Sequence, residues 1–157
     1  MKQVLRCAAL LFVLALCGSA WGAEQATPRT ARGNLVVSVE SLTSSEGVVR
    51  WALYRSEESM SDAVNGRGSR PARRGDHPAQ EGASSFAIKG LPFGKYALLL
   101  YHDEDGDNEA DKRAFGLPKE RVGISGYTSR PMRKPVWRKA HFSHNQIRTV
   151  LTVTTFR

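Results

Sequence analysis

Leu35-Val36-Val37-Ser38-Val39-Glu40 is the stretch that sets the fold class. It is rich in β-branched residues, and period-two alternation puts Leu35, Val37 and Val39 on one face, the pattern of a half-buried strand. Val48 to Tyr54 repeats it, with Val49, Trp51 and Leu53 alternating against Arg50 and Ala52. Thr43-Ser44-Ser45-Glu46-Gly47 between them has turn composition, so the pair reads as an antiparallel hairpin. Further strands are expected at Ser85 to Lys89, Lys95 to His102 and Ile147 to Phe156, the first two of these joined by the turn formers Gly90-Leu91-Pro92-Phe93-Gly94. Glu57 to Val64 offers two helical turns and little else competes. Short strands with turn signals predict an all-β chain, a single antiparallel β-sandwich with two long loops.

The whole chain has 157 residues, 41% hydrophobic and 24% charged, which suits one domain and is too apolar for disorder. Its first residues are set apart. Met1 to Arg6 is basic and Cys7 to Cys17 carries no charge, the pattern of a secretory signal too short to span a bilayer. Cleavage is expected after Ala20 or Gly22; the expected division is a signal at 1–22, a flexible leader at 23–33 and a domain at 34–157. Leu14-Ala15-Leu16-Cys17 also approximates a lipobox, which would give a lipoprotein through Cys17. The expectation is an exported protein, periplasmic or secreted, with no transmembrane segment in the mature chain. Both cysteines, Cys7 and Cys17, fall in the signal, so disulfides, thiolate metal sites and a cysteine nucleophile are not expected.

Charge is unevenly spread. The formal net charge of +8 becomes +6 without Lys2 and Arg6. Two long connections hold most of the charged side chains: 65–84, with Arg67, Arg70, Arg73 and Arg74, and 103–146. The second opens with six carboxylates between Asp103 and Asp111 and no basic residue, whereas Lys112 to Arg157 holds eleven basic residues and one acidic, Glu120.

Asp103, Asp105, Asp107 and Asp111 have the i, i+2, i+4, i+8 spacing of calcium loops, in which a tight turn gathers hard oxygens around a hard cation. Gly106 and Asn108 can take the positive φ such a turn needs. Asn108 at the sixth position and Ala114 at the twelfth depart from the EF-hand rule. Calcium at these four residues competes with a solvated acidic turn. His141 and His144 are three apart but lack nearby carboxylate or thiolate partners for zinc. His102 beside Asp103 suggests an acid–base pair, yet adjacent strand residues point to opposite faces. The sequence contains no Gly-x-Ser-x-Gly, Walker loop, Gly-x-Gly-x-x-Gly or His-Glu-x-x-His. A hydrolase using His102 and the acidic loop is therefore the weakest reading.

Arg130-Pro131-Met132-Arg133-Lys134-Pro135-Val136-Trp137-Arg138-Lys139 gathers five cations around one tryptophan. Arg130, Arg133, Lys134, Arg138 and Lys139 are candidates to hold anions, with Trp137 stacking or inserting at an interface. In an exported protein the partners would be anionic lipid headgroups or envelope polysaccharide rather than nucleic acid. The competing reading is a solvated loop docked on the acidic one.

The strings Gly90-Leu91-Pro92-Phe93-Gly94-Lys95-Tyr96-Ala97, Tyr101-His102-Asp103-Glu104-Asp105-Gly106-Asp107 with Asp111, and Phe115-Gly116-Leu117-Pro118-Lys119-Glu120 followed by Gly123 and Ser125 resemble the domain-of-unknown-function 2141 family. Leu35 to Tyr54, with Ser45-Glu46-Gly47 at its turn, is similar too. The resemblance runs from about Asn34 to Arg157 and implies a small exported bacterial β-sandwich, prealbumin-like or immunoglobulin-like, with no established activity. Asp105 and Asp107 stand where the family commonly has amides, and Asn108 where it has glycine. The Arg-rich 67–74 and basic 130–139 segments are heavier than the family pattern. The chain ends Val153-Thr154-Thr155-Phe156-Arg157, without the Tyr-Arg-Gly-Ser signature of transthyretin-like hydrolases. The sequence thus points first to a non-enzymatic binding or structural module with a calcium-binding acidic loop, and second to an envelope polyanion or anionic-lipid binder working through the basic segment 130–139.

Overall fold

The structure is a computed structural model that describes residues 31–108 and 120–157. The expected signal, the leader up to residue 30, and Asp111 lie outside these residues. The chain runs β1 (Arg32–Leu42), β2 (Val48–Tyr54), α1 (Glu57–Val64), β3 (Arg73–Pro78), β4 (Gly82–Pro92), β5 (Gly94–Asp103), β6 (Val122–Ile124), α2 (Trp137–Ala140), β7 (Phe142–His144) and β8 (Arg148–Phe156). Arg32 and Gly33 pair with Pro92 and Leu91, so they belong to β1 and not to a leader. No helix among the described residues is long and apolar enough to cross a membrane.

The fold is all-β, and the sheet follows one path, β3-β2-β5-β6-β8-β1-β4, with β7 added on β5. Two halves, β4-β1-β8 and β3-β2-β5-β6, face each other across one core of Leu35, Val37, Val39, Val49, Leu53, Ile88, Leu98, Leu100 and Val153. They are continuous, not separate sheets: the last residues of β8 leave β1 and pair with β6, Thr155 opposite Gly123 and Phe156 opposite Val122. At the other end of the path side chains bridge β3 and β4, with the His77 and Phe86 rings 5.1 Å apart and Ser84 Oγ donating to Pro78 O at 3.3 Å. The result is a curled, nearly closed sheet.

Three expectations are corrected. β1 and β2 do not form a hairpin: β1 pairs with β4 and β8, and β2 with β3 and β5. Their inward residues meet across the core, and the Thr43–Gly47 turn carries the chain from one half to the other. The sheet is not wholly antiparallel, because β1 runs parallel to β8 from Asn34↔Arg148 to Glu40↔Thr154. The long connections are also shorter than expected, since 65–84 contains β3 and 103–146 contains β6, α2 and β7.

The middle of β5, Ala97 to Leu100, is apolar because it is covered on both faces. Tyr96, Leu98, Leu100 and His102 point into the core, while Ala97 lies under a second cluster with Tyr54, Met60, Ile124, Tyr127, Ala140 and Phe156 beneath α1 and α2. Ser56 caps α1 by accepting from Ser59 N at 3.3 Å. Buried Ser125 stitches the layers, its Oγ accepting from Leu98 N at 2.9 Å and donating to Ala140 O at 2.6 Å.

Gly47 seats the crossing turn against the end of β5. Its φ is +67°, and a Cβ there would lie 1.9 Å from the Asp103 carbonyl oxygen. Gly47→Ala therefore adds left-handed strain to a backbone clash, and is expected to cost at least ~2 kcal/mol, read as a lower denaturation midpoint; a midpoint equal to that of the parent protein would refute this account of the turn.

Candidate functional site

Two groups of sequence-singled residues meet on the outer face of β3-β2-β5-β6. The first centres on Asp103, which ends β5 with its side chain fully buried. A buried carboxylate must be paired and hydrogen-bonded to stay ionised. Arg50, on the neighbouring strand, donates Nε to Asp103 Oδ2 at 2.5 Å and Nη1 to Asp76 Oδ2 at 3.0 Å, tying β5, β2 and β3 together. Asp103 also accepts from Gly106 N at 2.9 Å and Asn108 N at 3.3 Å, which wraps the acidic loop around it. Gly106 and Asn108 adopt φ of 76° and 66°, the left-handed turns their residue types tolerate. Burial alone pushes the Asp103 carboxyl up, but the Arg50 guanidinium and the two backbone N–H groups prevail and hold it below the usual range. Arg50 is raised in turn, chiefly by its hydrogen bond to Asp103. Burial pushes the Tyr101 phenol up despite Arg50, and its hydroxyl donates to Asn108 O at 3.1 Å.

Of the four expected aspartates, Asp103 and Asp105 come together. Ligand oxygens of Asp103, Asp105 and Glu120 lie within 4.8 Å of one another, whereas Asp107 is not in this group and Asp111 is outside the described residues. Glu120, buried just before β6, was not singled out by sequence, because spacing along the chain does not show which residues tertiary structure brings beside Asp103. His102 is fully buried, its Nε2 2.7 Å from Glu46 O and its Nδ1 3.5 Å from Glu104 Oε1. Since Nε2 faces a carbonyl, it donates, and the ring fastens the 43–47 turn to β5. His144 is likewise engaged at both nitrogens, by Thr149 Oγ1 at 2.7 Å and Leu91 O at 3.2 Å. His141 Nδ1 sits 3.0 Å from Trp137 O.

The second group forms a groove of about 1130 Å³. Its floor is the outward face of Ala52, Leu99 and Val122, its wall Ala63 and Val64 of α1, and Phe156 closes one side. Arg130, Arg133 and Lys134 arrive over it from the basic segment, Arg74 from β3, and Arg50, Tyr101 and Asn108 join it to the acidic loop. Arg74, Arg130 and Arg133 are exposed, and no carboxylate among the described residues pairs with them. Lys134 is anchored by Asn65 at the end of α1, which pins the segment to the wall.

The expected basic site is therefore divided. Arg130, Arg133 and Lys134 line the groove; Trp137, Arg138 and Lys139 lie outside it. Trp137 is half-buried against the second cluster and stacks on His141 at 5.6 Å. Lys139 Nζ lies 4.2 Å from the centre of the Tyr127 ring. Arg74 was visible in sequence only as one of several loop arginines; the Gly75 opposite Trp51 that lets β3 lie close was the available signal.

Asp103 binds no proton in the folded state down to a lower pH than in the unfolded chain, so its contribution is full above the usual carboxylate range and is lost as pH falls through the lowered folded value. Asp103→Asn is expected to be less stable than the parent at pH ~7, by about 3 kcal/mol, and to lose stability less steeply between about pH 5 and pH 2. Denaturant titrations across that range check it; parallel pH profiles for the two proteins would remove Asp103 from this role.

Residues 37–151 match the family described as uncharacterized proteins conserved in bacteria, domain of unknown function 2141. Neither a curated protein nor a solved structure matches the chain. The matched span takes in most of β1, all of β2 to β7, the Asp103 turn and the basic segment, and the chain belongs to the domain-of-unknown-function 2141 family.

Proposed function

We propose that this chain is an exported, non-enzymatic binding module that holds anionic envelope components in the groove under the basic segment. The observation that carries the reading is convergence: cations from two distant segments, Arg74 and Arg130 to Lys134, ring one concave apolar floor. Small-molecule sites combine an apolar lining with a few polar groups that orient the ligand. Guanidinium groups suit carboxylate and phosphate because their planar fork donates two parallel hydrogen bonds. The leading N-terminal pattern, basic then apolar, supports export. Two halves facing each other across one core support a sandwich of prealbumin-like or immunoglobulin-like ancestry, sealed along one side by β8.

A second reading is favoured by the approach of Asp103, Asp105 and Glu120: calcium bound at the acidic loop, sharing Asp103 with Arg50. Calcium titrated into metal-stripped protein should then bind saturably, and Asp105→Asn should abolish it. Heat-silent titration at about 1 mM calcium, with no change in melting, would overturn this second reading.

The groove reading is tested with phosphatidylglycerol vesicles and lipopolysaccharide. An Arg130→Gln/Arg133→Gln protein should lose at least ~10-fold in affinity, and parent binding should weaken with salt. Arg138→Gln/Lys139→Gln, outside the groove, should leave binding unchanged. The opposite ranking of the two variants, or binding to neutral vesicles as strong as to anionic ones, would overturn the proposal.

A further inference from the structure

We infer that the ligand is a single-chain anionic amphiphile, a carboxylate or phosphate head on one alkyl tail; this rests on the groove reading and specifies it. An extended polyanion is matched by a strip of cations along a convex surface, whereas here the cations stand on the rim of a concavity. Ala52, Leu99 and Val122 present side chains without a polar atom along the floor, and Val64 continues that surface up the α1 wall. A headgroup alone leaves this floor wet, while a tail laid along it removes apolar surface from water on both partners.

The charges also assign an orientation. At the end nearest the acidic loop Arg50 is occupied by Asp103 and Asp76, and Asp76 adds a carboxylate that repels an anion. Lys134 is held by Asn65. The cations left to meet a head are Arg74, Arg130 and Arg133, all exposed and without a carboxylate partner among the described residues. The head lies among these three and the tail runs over Leu99 and Val122. About 1130 Å³ is slightly more than small-molecule pockets usually offer, enough for a medium-length acyl chain and too little for a bilayer patch.

The test is calorimetric titration of octanoate, decanoate and dodecanoate, each below its micelle-forming concentration, with 1-decanol and heparin as controls. Affinity is expected to rise about fourfold per added methylene, to fall at least ~10-fold for the uncharged alcohol, and to weaken with salt only in its headgroup part. Val64→Glu and Leu99→Gln should each flatten the chain-length dependence, and agreement between the two guards against a floor variant that fails to fold. Arg130→Gln/Arg133→Gln should lower the affinity of all three carboxylates by the same factor. Heparin binding with no dependence on alkyl length would overturn the amphiphile while leaving the anion groove standing. Failure of every anion, vesicles and heparin included, would overturn both.

Discussion

A carboxylate buried without exposure at the end of the central strand is the constraint around which this side of the molecule is organised. Asp103 can keep its charge only if donors surround it, and they come from three places: the Arg50 side chain, Gly106 N and Asn108 N. Because Arg50 also reaches Asp76, one ion pair fixes the lateral order of β3, β2 and β5. Because the two N–H groups lie in the acidic loop, the same carboxylate bends that loop toward the outer face. Removing Arg50 would leave the buried Asp103 charge without its cation, whereas Arg50 keeps Asp76 if Asp103 is lost.

The groove is a by-product of the same economy of cover. β5 is buried on its inner face by the core and on its outer face by α1, α2 and the chain between β6 and α2. That outer cover is complete over Ala97 and Ile124 and incomplete over Ala52, Leu99 and Val122, which are only partly buried. Where the cover stops, the apolar face is left under a rim of arginines. Tyr101 and Asn108 join this opening to the Asp103 turn, so the acidic and basic stretches, which look like separate features along the chain, border one another in space.

Much of this was readable in the residues. Leu35, Val37 and Val39 alternate as a half-buried strand should, and Val49 and Leu53 do the same; all five are fully buried. Glu57 to Val64 is the helix expected there. Pairing was less legible, because alternation states which side chains face inward and not which strand lies beside which. β3 was hidden for a related reason: Arg73-Arg74-Gly75-Asp76-His77-Pro78 pairs along one edge only, exposes alternate residues, and so carries no apolar rhythm. The acidic spacing singled out Asp103 and Asp105 but not Glu120, which lies beside them through tertiary structure. The contact of the Trp137 ring with His141 and the second cluster was not legible, because a tryptophan among arginines gives no sign of what it packs on.

The parallel pairing of β1 with β8 has a consequence for how the molecule comes into being. β8 is the only described strand joining the two halves of the path, and Thr155 Oγ1 contacts Glu40 O across 115 positions of sequence. A chain emerging N-terminus first, from a ribosome or a membrane pore, therefore exposes β1 with one edge unsatisfied until its final nine-residue strand arrives. Such non-local closure is intrinsically slow and leaves an open strand edge available to neighbours in the interval. The time of greatest vulnerability for this fold is the wait for its own last strand.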